Sequence, residues 1–102
     1  MRAPSTTLES RTEKSIGTTT LQINFLKTRR LKTPLSVVVE PDGDEFIARS
    51  IDLPLYGTGE DLLEAVRALK SDIEALHEEL LEDDNFSKEW LRYKSFLQEI
   101  IE

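Results

Sequence analysis

The sequence predicts an α+β fold: a small, mainly antiparallel sheet of three or four strands, packed by one long helix and followed by a C-terminal helix. Three observations carry this reading. Residues 35–40 and 45–51 are runs rich in β-branched and aromatic side chains, separated by the turn-forming Pro41-Asp42-Gly43-Asp44. Leu62, Val66, Leu69, Ile73, Leu76 and Leu80 recur at alternating spacings of four and three, the period of a helix with one apolar face. A second apolar-faced segment begins after Ser87, a residue suited to capping a helix.

Taken in order, residues 1–17 are rich in Ser and Thr, broken by Pro4 and Gly17, and carry no apolar periodicity. They read as a disordered N-terminal arm ahead of a single domain over residues 18–102. Leu21, Ile23 and Phe25 alternate with Gln22 and Asn24, which predicts a half-buried strand ending in the basic run Lys27 to Lys32. The hairpin follows, its second run closed by Pro54, and residues 55–58 form a shorter extended segment. Asp61 can accept from the first turn of the long helix while Glu64 reaches back, a variant of the capping box. Residues 82–85 interrupt the apolar pattern and read as a loop. Beyond it, Phe86 and Leu91 are spaced as a hydrophobic staple around the Ser87 cap. Trp90, Tyr93, Leu97 and Ile100 form the main face of the last helix, widened by Phe96 and Ile101.

At 102 residues the chain suits one modest core, since a domain of this size buries roughly two-thirds of its unfolded surface. With 38% hydrophobic and 32% charged residues it has the composition of a globular protein, and no apolar run nears the ~20 residues of a membrane span. Cysteine is absent, which removes disulfides, thiolate nucleophiles and Cys-ligated zinc and fits a cytoplasmic setting. The formal charge of −7 is unevenly spread: residues 1–33 hold seven Lys/Arg against two Asp/Glu, and the remainder six against eighteen, a net of −12. A basic arm on an acidic body favours basic partners and repels nucleic acid from the body itself.

No catalytic constellation stands out, and the chain reads as a non-enzyme with no cofactor and no metal. His77, the only histidine, lies beside Leu76 at the edge of the apolar stripe and reads as a partly exposed helix side chain. Asp42, Asp44 and Glu45, and again Glu82, Asp83 and Asp84, read as solvated carboxylates of turns and not as a calcium loop, whose ligand spacing they lack. Glu40 and Asp52 are the only strand-end carboxylates that a two-metal nuclease could use, too few for that chemistry. Arg29, Arg30 and Lys32 are the candidate nucleic-acid contacts; without aromatic interleaving, neutralisation of the acidic body is an equal reading. The aromatic face of the last helix is open to two readings, core or partner anchor, with Trp90 and Tyr93 the residues at issue.

Across about residues 35–82 the chain resembles the HicB-like antitoxin family. The resemblance rests on Glu45-Phe46-Ile47-Ala48-Arg49, Asp52-Leu53-Pro54 and Gly59-Glu60-Asp61-Leu62-Leu63-Glu64-Ala65. It implies a partial RNase H-like β-β-β-α unit and membership of a toxin-antitoxin system, in which the protein sequesters a small basic, mRNA-cleaving toxin by steric and electrostatic blocking. The chain departs from the family pattern where Leu55-Tyr56 replaces a Gly-Cys. Its C-terminal segment is also a single helix, too short for the operator-binding motif of many members. The resemblance places Leu55 and Tyr56 beside an exposed sheet edge, and with Asp52 they are the expected partner-binding residues, joined by Trp90 and Tyr93. The alternative is a stand-alone homo-oligomeric regulator whose basic arm contacts nucleic acid.

Overall fold

The computed structural model describes residues 17–82 and 87–102. The expected arm, Gly17 apart, and Asp83–Asn85 of the expected loop, with the Phe86 half of the staple, lie outside the described residues. Four strands form one antiparallel meander in the order β1 (Thr19–Phe25), β2 (Arg30–Asp42), β3 (Glu45–Ser50) and β4 (Tyr56–Gly59). Two helices follow, α1 (Leu62–Leu81) and α2 (Lys88–Ile100). The α+β class expected from the sequence is the class observed, with the full complement of four strands.

β1 lays Leu21 opposite Val37 and Ile23 opposite Leu35, so alternate side chains of both strands enter the core. The alternation fails at Phe25. The register shifts between Ile23 and Phe25, and Phe25 is left 51% exposed beneath the Arg30 guanidinium, 5.2 Å from its ring centroid. Leu26 is buried instead, its N–H donating to the Arg29 carbonyl at 2.7 Å. β2 starts five residues before the expected Leu35 because Pro34 falls opposite this shift, where no regular ladder bond is demanded.

The hairpin closes on the Asp42–Glu45 pair with Gly43 at φ 66, the left-handed conformation that a two-residue turn requires. Pro41 belongs to the strand, not the turn. Beyond β3, the Ser50 hydroxyl accepts the Leu53 N–H at 3.1 Å, and Leu53 plugs the core while Asp52 and Pro54 stay exposed.

Asp61 caps α1, its carboxylate accepting from the Glu64 N–H at 2.8 Å. The Glu64 carboxylate reaches back one residue further than expected and accepts the Glu60 N–H at 2.7 Å. Val66, Leu69, Ile73 and Leu80 of the predicted stripe are buried, with Leu62 and Leu76 partly buried at its margins. α1 crosses the sheet so closely that Gly57 and Gly59 of β4 meet its backbone directly.

Ser87 caps α2 through its hydroxyl, which accepts the Trp90 N–H at 3.4 Å. Leu97, Ile100 and Ile101 are buried, and Ile101 bridges to Leu31 while the Glu102 N–H donates to the Arg30 carbonyl at 3.0 Å. These residues of the helix complete the core, while Trp90 and Tyr93, the two at issue above, are only partly buried against it. Among the described residues no helix is long and apolar enough to cross a membrane.

Candidate protein-binding edge

The helices cover one face of the sheet, and period-two alternation sends the other set of side chains to the opposite face. Register places Thr20, Val38, Arg49 and Tyr56 in one row across that outer face, and Glu40, Ile47 and Thr58 in the next. Arg49 reaches Glu40 at 3.8 Å. Ile51, two residues beyond Arg49, shares this face. Ile51 and Tyr56 are each 60% exposed, two large apolar side chains left in solvent at the β3–β4 end of the sheet.

The backbone of β4 adds to this surface. Ser50 donates to the Leu55 carbonyl at 3.2 Å, and the antiparallel alternation then assigns the β3-facing bonds to Gly57 and Gly59. The Ile51 N–H bonds to the Ser36 carbonyl at 3.3 Å, which fixes the same alternation from the other side of β3. Tyr56 and Thr58 consequently point their N–H and C=O groups away from the sheet, along its open edge. Beside that edge runs a groove of about 400 Å³ lined by Pro54 and Leu55 of the β3–β4 loop, by Tyr56 to Thr58 of the strand and by Ala68 and Asp72 of α1.

The expected partner-binding residues thus separate into two groups. Asp52, Leu55 and Tyr56 gather on the β3–β4 loop and the edge: Asp52 and Tyr56 exposed, Leu55 partly buried against the core. Trp90 and Tyr93 form an edge-to-face pair on α2, centroids 5.4 Å apart, and both pack partly against the core. Trp90 borders Leu76 and Leu80, some 8 to 12 residues along α1 from Ala68, or about 12–18 Å. The two groups do not meet in one patch.

The basic candidates lie in the β1–β2 connection and the start of β2, at the opposite end of the sheet order. Arg30 is held over Phe25, Arg29 is half-buried near Glu74, and Lys32 is exposed. The Arg29 charge acts on the protein's own Glu74 carboxylate. Among the described residues no three His, Asp or Glu side chains gather in metal-ligating positions; Glu40 is paired to Arg49, and Asp52 stands alone on its loop.

Sequence reasoning missed the buried polar cluster where the β1–β2 turn meets α1. Glu74 is only 6% exposed, and its carboxylate accepts the Thr28 N–H at 2.8 Å and the Thr28 hydroxyl. His77, three residues on and expected to be partly exposed, is also buried. The only signal in the sequence was the placement of Glu74 and His77 three apart beside the stripe.

Burial pushes the Glu74 carboxyl up, but the two Thr28 hydrogen bonds and the Arg29 charge outweigh it and hold the group below its ordinary value. His77 is held below the usual histidine range by burial first and by Arg29 second, against the opposing pull of Glu78 and Glu74. Both groups bind protons less readily folded than unfolded, so stability falls with pH: from the ordinary histidine value of 6.5 down through His77, and from about 4.5 down through Glu74. Thermal melts of the parent therefore decline between pH 7 and pH 5, and His77→Gln flattens that interval. Equal slopes in parent and variant would contradict the assignment.

Comparison of the chain with family models, curated proteins and solved structures gave no match in any of the three.

Proposed function

We propose that this chain is a HicB-like, antitoxin-type binding protein of the cytoplasm, which sequesters a small basic partner such as an mRNA-cleaving toxin and works by occlusion, not catalysis. The observation that carries the reading is the β4 edge: the exposed Tyr56, which lines a groove with Asp72 and closely follows the exposed Ile51 and Asp52 in the chain, on a body whose residues 34–102 hold six Lys/Arg against eighteen Asp/Glu. An exposed aromatic beside carboxylates combines a hot-spot anchor with a charged rim. The acidic field steers a basic protein to the edge and raises its association rate, an effect that salt screens over a Debye length of ~8 Å.

The sheet and α1 hold the anchor rigid while the partner's active surface is covered. The order β2-β3-β4-α1 supports the reading, being the β-β-β-α unit that the resemblance implies.

Co-purification from the native host, followed by calorimetry and dissociation kinetics on parent and Tyr56→Ala, tests the proposal. A small basic protein is recovered with the parent, and the variant binds it more weakly by roughly 1–3 kcal/mol, mainly through faster dissociation. Because the Tyr56 ring is 60% exposed, the variant melts like the parent. Recovery of no basic protein, or equal affinity in the variant, would overturn the proposal.

A further inference from the structure

We infer that the basic partner is engaged by strand addition: an extended, Lys- or Arg-bearing segment pairs with the open edge of β4 and extends the sheet by one strand. The inference rests on the reading above for the identity of the partner, but its geometry is argued separately.

Four backbone groups, the N–H and C=O of Tyr56 and of Thr58, face outward by the register just described. None of them has a hydrogen-bond partner outside the sheet among the described residues. Such an edge is a template for another strand unless it is protected by a bulge, a lysine or an inward charge. The opposite edge has such protection in the register shift that interrupts β1. β4 has none. The groove beside it leaves space for a strand, since the helix wall there is the small Ala68.

The chemistry of the occupant follows from the two sides of an added strand. Alternate side chains of such a strand point to opposite faces. One set would lie on the outer face against the exposed Tyr56 ring, which suits a β-branched residue. The other set would enter the groove toward Asp72, whose exposed carboxylate suits a cation. Backbone pairing supplies affinity and the two side-chain rows supply selection. A partner segment alternating apolar and basic residues satisfies both rows.

The test uses the full chain and, as probe, an alternating Lys-Val peptide of about eight residues, long enough to span one strand. On binding, the amides of Tyr56 and Thr58 gain protection from hydrogen exchange, whereas those of Gly57 and Gly59, bonded to β3, change little. Thr58→Pro deletes an edge N–H that the ladder with β3 does not use, so the variant folds and its affinity for the peptide falls about tenfold. Thr58→Val keeps the N–H and binds as the parent does. An alternating Glu-Val peptide binds more weakly than the Lys-Val peptide to the parent, and Asp72→Asn narrows that difference.

Equal binding by folded Thr58→Pro and parent, or peptide binding without protection of the two amides, would overturn strand addition. Concentration-dependent protection of the same amides in the free protein would also overturn it, assigning the edge to a second copy. If the recovered basic protein responds to Tyr56→Ala but not to Thr58→Pro, strand addition alone falls and the proposed function stands. If no basic protein is recovered, the proposed function falls and the peptide experiment still decides the edge.

Discussion

Gly57→Ala is expected to destabilise the fold by about 3 kcal/mol or more, at the upper end of overpacking substitutions. A methyl group at this position would overlap the Leu69 nitrogen and lie 2.6 Å from the Ala65 carbonyl oxygen and 2.9 Å from the Leu69 Cα. These are backbone atoms in the middle of α1, so no side chain can swing aside; the helix must move off the sheet. Gly59 is in the same position, its added methyl falling 2.5 Å from the Ala65 nitrogen. Gly43 is the control. Nothing lies within 4 Å of its Cβ direction, and Gly43→Ala carries only the left-handed backbone cost of ~1 kcal/mol. Urea unfolding of the three variants measures the order directly. Gly57→Ala as stable as Gly43→Ala would contradict the close crossing of α1 over β4.

Leu69→Ala and Ile73→Ala are each expected to cost roughly 2 to 5 kcal/mol, through lost burial and the cavity left behind. Both residues have no exposed surface and sit one turn apart at the centre of the helix stripe, between the sheet and α1's own backbone. Leu63→Ala is the comparison, since Leu63 is 68% exposed on the far side of the same helix and its truncation should fall within about 0.5 kcal/mol of the parent. Chemical denaturation of the three variants decides whether the stripe faces inward; Leu69→Ala and Ile73→Ala unfolding with the parent would place it outward.

The long helix was legible in the sequence because one period of apolar residues and one cap point to the same element. Asp61 and the stripe from Leu62 to Leu80 needed no tertiary information. The hairpin was legible for the same reason, with Gly43 between two strand-forming runs. Phe25 was misplaced because a register shift has no periodic signature: the sequence alternates through it while the backbone does not. The burial of Glu74 went unread because it comes from the β1–β2 turn, 46 residues earlier in the chain, and no local pattern foretells which flank a distant loop will cover; His77, read as partly exposed, lies three residues on and is buried too. The candidate edge was half legible. Tyr56 and Asp52 could be singled out from residue type and resemblance, but the outward direction of the Tyr56 and Thr58 backbone follows only from strand register, and Asp72 joins the groove only through the crossing of α1.

The proposed function has this protein silence a basic ribonuclease by covering it through the β4 edge. The most direct measurement is messenger RNA cleavage by the co-purified basic protein, titrated with the parent and with folded Tyr56→Ala. Cleavage stops when the parent reaches about one equivalent, as tight occlusion requires, and persists at the same amount of the variant. Undiminished cleavage in excess parent, or a basic protein with no action on RNA, would contradict it.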